Sequence, residues 1–254
     1  MKLKKDCLNF KLNKTGSFVN LSEMSMKKLL QVFFVLNQFL ILNAQTTGIP
    51  CKGLPIVIYD GKTYNSVQIG IQCWLKENLN AGIMIDSTKI QANNGIIEKY
   101  CFDNKPANCE IYGGLYQWAE AVQYENGATD SILPNPAFSG NVKGICPGGW
   151  HIPSEAEFLT LQTEVSNNGN ALKSVGQGAG VGAGTNTSGF SALLAGYRYA
   201  SSTFNRLGGF TRFWSSEAYG SDDAFVLDLF YDSNKVYLGG GYKGSGFSVR
   251  CIKD

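Results

Sequence analysis

Six cysteines spread over residues 51–251 constrain this chain more than any other feature. They are Cys51, Cys73, Cys101, Cys109, Cys146 and Cys251, while a seventh, Cys7, stands apart near the N-terminus. No two of the six have the two-to-four-residue spacing with which cysteines grip zinc, so they read as a disulfide framework. Six cysteines allow fifteen connectivities, and the sequence leaves the choice open. One arrangement suits the chain best. Cys101 and Cys109 flank a turn-rich stretch that a local bridge would close, and Cys146–Cys251 would tie the middle to the C-terminus. Cys51–Cys73 then follows by elimination.

A disulfide framework needs an oxidising compartment, and the N-terminal region supplies an address. Met26-Lys27-Lys28 precede an apolar run from Leu29 to Leu42, followed by Asn43-Ala44-Gln45. This is the order of a secretory signal, with cleavage expected after Ala44. The run is too short to span a bilayer comfortably. Residues 1–25 then read as an upstream extension outside the mature protein, 26–44 as the signal peptide and 45–55 as a short leader to a domain over 56–254. A lipid-anchor reading fits poorly, since Pro50 precedes Cys51. Seven of the 22 basic and two of the 20 acidic residues fall in 1–44, so residues 45–254 carry 15 against 18, a net of −3. No basic face remains for a phosphate backbone, and nucleic acid is not an expected partner.

Within the domain, Ile56 to Tyr59, Asp60-Gly61 and Thr63 to Ile69 read as a hairpin with a tight turn, and Gln72 to Leu75 as a third strand. Residues 80–110 read as irregular. Leu115, Trp118, Ala119 and Val122 recur at helical spacing and predict a helix over 115–124. Ser154 and Glu157 form a capping box ahead of a second helix, with Pro153 and Phe158 as its hydrophobic staple. The glycines from 176 to 189 lack the strand, helix and Lys-Ser/Thr signature of a phosphate cradle and read as a flexible surface loop. Phe190–Tyr199, Phe213–Ser216, Ala224–Tyr231, Lys235–Leu238 and Gly246–Ile252 read as strands, with Gly239-Gly240-Gly241 as a turn. The fold class is α+β: antiparallel sheets with two main helices, stapled by disulfides.

Five ordered blocks carry a resemblance. They are Asp60-Gly61-Lys62-Thr63-Tyr64 with Trp74-Leu75-Lys76-Glu77-Asn78-Leu79; Tyr112-Gly113-Gly114-Leu115-Tyr116-Gln117-Trp118; Cys146-Pro147-Gly148-Gly149-Trp150-His151-Ile152-Pro153-Ser154; Gly189-Phe190-Ser191-Ala192-Leu193 through Phe213-Trp214-Ser215-Ser216; and Gly246-Phe247-Ser248-Val249-Arg250-Cys251. Together they resemble the Fibrobacter succinogenes major paralogous domain over nearly all of 56–254. The resemblance implies an extracytoplasmic bacterial domain without an assigned biochemical role, and a Cys146–Cys251 bridge. More distantly, the segment from Ile152 to Phe158 and the closing Gly246 to Cys251 are similar to the sulfatase-modifying-factor (formylglycine-generating enzyme) and C-type lectin-like folds. Function does not follow from that likeness.

Catalysis has little to work with. The chain holds one histidine, His151, at a helix entrance, where a packed or capping imidazole is expected. Glu155 and Glu157 are accounted for by the helix dipole and the capping box. With the cysteines paired, the two reactive thiols of the formylglycine-generating group are missing, so no catalytic residue or cofactor is expected. The calcium-binding signatures of C-type lectins are absent too. Asp222, Asp223, Asp228 and Asp232 leave room for a structural calcium ion. The expected role is an exported binding or surface-interaction module for a polysaccharide or a cell-surface protein, with Trp214, Tyr219 and Tyr242 as ligand-surface candidates. An atypical oxidase of the formylglycine-generating group and a purely structural surface protein are the alternatives. Asp86-Ser87-Thr88 and Asp130-Ser131-Ile132 resemble bacterial O-glycosylation acceptors.

Overall fold

A computed structural model of the chain describes residues 48–254 and, upstream, two short strands, β1 (Phe10–Leu12) and β2 (Phe18–Asn20), which pair antiparallel. The expected signal segment and its cleavage position lie outside the described residues. The chain divides into two units, 1–46 and 47–254, and the second is described from here on.

The domain is mainly β. Its first sheet has the order β3 (Ile56–Tyr59), β4 (Lys62–Ile69), β5 (Gln72–Leu75), β14 (Ile252–Lys253), β8 (Trp150–His151), antiparallel throughout. Asp60 and Gly61 both take positive φ, 47° and 68°, the conformation a two-residue hairpin turn demands. The second sheet has the order β10 (Phe204–Leu207), β9 (Ala195–Arg198), β11 (Phe210–Ala218), β12 (Asp223–Phe230), β13 (Tyr237–Tyr242). Within it only β9 and β11 run parallel. A small parallel pair, β6 (Ile83–Met84) and β7 (Glu98–Lys99), lies outside both.

Strand alternation feeds two cores. On β4, Tyr64 joins one cluster with Trp118, Trp214, Val226 and Phe247, while Val67 and Ile69 join another with Trp74, Phe158, Phe213 and Leu227. Adjacent residues Val226 and Leu227 of β12 divide in the same way, as period-two side chains must. Three disulfides are formed: Cys51–Cys73, Cys101–Cys109 and Cys146–Cys251.

The helices are few: α1 (Pro106–Tyr112), α2 (Trp118–Ala121), α3 (Glu155–Glu164) and α4 (Gly169–Leu172). α3 begins at Ser154 with both halves of the capping box made. The helix expected over 115–124 shrinks to the four residues of α2. Leu115 and Tyr116 are extended instead, bridging to Tyr100 and Phe247, and positive φ at Gln123 and Tyr124 prevents continuation. The segment expected to be irregular holds α1, which starts on Pro106 and carries Cys109.

Two glycine segments also differ from expectation. Gly239-Gly240-Gly241 is not a turn but the middle of β13, opposite Val226, Phe225 and Ala224. The 176–189 segment is pinned rather than loose. A side chain at Gly178 or Gly182 would collide with backbone at 2.3 and 2.2 Å, and buried Lys173 donates to the carbonyls of Gly182, Phe230 and Ser233.

Candidate functional site

A groove of about 560 Å³ opens on the second sheet, lined by Tyr197, Tyr199, Phe210, Phe230, Tyr242 and Phe247 with Arg206, Arg212, Ala200, Ser201 and Ser245. Its wall is a run of packed rings. Trp214 meets Phe247 at 4.3 Å, Phe247 meets Tyr197 at 6.0 Å, and Tyr197 meets Phe210 at 5.6 Å. Phe210 continues to Phe230 at 4.8 Å and Phe230 to Tyr237 at 5.3 Å, so the run climbs from a fully buried tryptophan to a half-exposed tyrosine.

Glycines of β13 pack beside the groove lining. Alternation along β13 puts Gly239 and Gly241 on the face of their partners Val226 and Ala224. A Cβ on Gly241 would stand 2.7 Å from the Phe247 ring and 3.3 Å from Arg212 Cδ, whereas one on Gly239 would meet nothing within 4 Å. The missing side chain of Gly241 leaves room for Phe247 and Arg212, both of which line the groove.

Arg212 lies over the rings of Phe210 and Phe247, at 5.2 and 5.0 Å. Its Nε and Nη2 donate to the two carboxylate oxygens of Asp228, each at 2.6 Å. Burial raises the Asp228 carboxyl above its ordinary range, and Arg212 pulls it partly back. At the rim, burial and a hydrogen bond with Tyr199 push the Tyr197 phenol up to about 12, so it stays neutral. The groove thus offers apolar ring faces, neutral hydroxyls and guanidinium groups. No nucleophile stands beside a base within it.

Of the expected ligand residues only Tyr242 lines the groove. Trp214 is not a surface residue: it is fully buried, its indole N–H donating to the Tyr116 carbonyl, because β11 places it between both sheets' inner faces. Tyr219 is exposed but packs on Phe225 and over Gly240, away from the groove lining. Nothing in the spacing of Phe210, Phe230, Arg206 and Arg212 marks them as site residues. The alternating glycines of β13 are the one sequence signal that points to an open strip of sheet.

His151 is buried at the other sheet, its ring nitrogens 2.7 Å from Asp254 Oδ1 and 2.9 Å from Glu157 Oε1. Burial lowers its pKa, but the Glu157 and Asp254 contacts outweigh this and the net shift is upward. Among the described residues no three His, Cys, Asp or Glu side chains gather as a metal site, and Asp222, Asp223, Asp228 and Asp232 do not converge on one point. Ser87 is buried, while Ser131 is exposed. A second cavity, about 450 Å³, lies around Arg250, whose Nη1 and Nη2 donate to Leu75, Phe190 and Asn78 oxygens while its buried Nε has no partner among the described residues.

Residues 67–253 match the Fibrobacter succinogenes major domain. The chain belongs to this family. No curated protein and no solved structure matches the chain. The groove therefore sits on a Fibrobacter succinogenes major domain whose elements from β5 to β14 all fall within the match. Its three disulfides suit an oxidising environment, and among the described residues no helix is long and apolar enough to cross a membrane.

Proposed function

We propose that this domain is an exported, extracytoplasmic binding module without catalytic machinery, holding a saccharide in the aromatic groove of its second sheet. The observation that carries the reading is the run of packed rings along the groove, Phe247 to Tyr197 to Phe210 to Phe230. Such a surface matches a sugar: ring faces take the C–H side of a pyranose, and rim hydroxyls and guanidinium N–H groups take its oxygens. Export rests on the signal-like segment 26–44 and on the disulfide framework. A C-type lectin-like architecture remains our assignment for the fold, on the strength of the α3 entrance and the closing strand. Calcium plays no part in this binding mode.

A broad glycan array probed with the oxidised protein, with and without calcium, tests the reading. Hits that persist in chelator and vanish in Tyr199→Ala are expected. A blank array, or hits indifferent to that change, would overturn it.

A further inference from the structure

We infer that the saccharide is an acidic one, a uronate-bearing glycan whose carboxylate is taken by Arg206 at the groove rim. This rests on the groove being the binding site, and deepens that reading.

The charge around the groove is one-sided. Two arginines line it and no Asp or Glu does. Arg212 is neutralised by Asp228 through Nε and Nη2, yet its Nη1 makes no hydrogen bond among the described residues. Arg206 has no carboxylate within ion-pair distance among them. A whole guanidinium fork is therefore open at the rim, shaped for two-point contact with a carboxylate.

The backbone aims that fork. Asn205 is the cross-strand partner of Tyr197, so regular alternation would place the next side chain, Arg206, on the face away from Tyr197. Instead Arg206 takes φ 61°, and Gly196 on the neighbouring strand takes φ 66°. The left-handed residue breaks the alternation, and Arg206 lines the groove with Tyr197. A non-glycine residue held in that region is strained. A Cβ on Gly196 would stand 2.6 Å from the Asn205 carbonyl, so the kink is locked from the opposite strand.

The charge selects between ligands of one shape. An acidic sugar gains an ion pair at a site already built for its ring, and its methyl ester gains only the ring contacts. Oligomers of galacturonate, glucuronate and mannuronate, each beside its methyl ester, would be titrated calorimetrically into the full oxidised protein and into Arg206→Gln. At least one acid should bind, with its ester weaker by roughly tenfold or more, as loss of a charge-assisted pair implies. Arg206→Gln should remove that difference while leaving the melting temperature unchanged, and Arg206→Lys should restore part of it. Acid and ester bound equally, or a preference that survives Arg206→Gln, would overturn the acidic assignment and leave the groove reading standing. No binding by any oligomer, charged or esterified, would overturn the acidic assignment, and a blank glycan array beside it would overturn the groove reading as well.

Discussion

His151 Nδ1 lies 2.7 Å from Asp254 Oδ1, so the single histidine of the chain ties strand β8 to the residue that follows β14. Its other nitrogen meets Glu157, which also closes the α3 capping box through the Ser154 backbone N–H.

This arrangement predicts a bounded range of maximal stability. The histidine pKa is raised in the fold, so its contribution is complete below the unfolded value of about 6.5 and is lost as pH rises through the folded one. For Glu157, burial alone would raise the pKa, but bonds from His151 and Ser154 lower it; its contribution is complete above about 4.5 and is lost as pH falls through the folded value. Melting temperature should therefore decline on both sides. His151→Gln should flatten the alkaline decline. A wild-type alkaline limb unchanged by that substitution would contradict the assignment.

Reducing the Cys146–Cys251 bond should be the costliest of the three reductions. It spans 105 residues, against 22 for Cys51–Cys73 and 8 for Cys101–Cys109. The chain-entropy relation assigns a loop of that size about 4.7 kcal/mol. Denaturant unfolding of paired Cys→Ser variants would rank the three.

Gly241→Ala should destabilise by about 1–3 kcal/mol, because the new methyl enters the space of the Phe247 ring and Val226. Gly239→Ala meets open space and should leave the folding midpoint within about 0.5 kcal/mol of wild type. Equal costs at the two positions would contradict the packing of Gly241 against Phe247 and Val226.

Arg212→Met should cost about 3 kcal/mol, since it abandons a carboxylate that burial already disfavours. Asp228→Asn removes the buried charge itself and should cost less. Arg212→Met stability should also improve on acidification, as the orphaned Asp228 takes up a proton. Urea titrations at neutral and mildly acidic pH would separate the two variants.

Much of the fold is legible where the determinants are local. The capping box at Ser154 and the Asp60-Gly61 turn depend on a few neighbouring residues, and both are found where their chemistry puts them. The helix expected over 115–124 fails because Leu115 and Tyr116 make backbone bonds to Tyr100 and Phe247, partners distant in sequence that outweigh a helical period. Gly239-Gly240-Gly241 reads as a turn in isolation. Its strand conformation is imposed by six paired residues of β12. The groove is the least legible part, since its rings come from β9, β11, β12, β13 and the approach to β14, and its arginine is aimed by a backbone kink that no local signal announces. Trp214 shows the converse error: a large aromatic is recognisable as important, but its side of the sheet is set by pairing.

The position of β14 has a consequence for how the chain is made. β5 and β8 belong to one sheet but touch only through Ile252, which pairs with Trp74 on one side and His151 on the other. Until that strand arrives, the two halves of the sheet have no hydrogen-bonded connection, however much of the preceding domain has been synthesised. Such long-range closure makes folding slow. The first sheet of a nascent domain of this design therefore closes only when its last strand has been made.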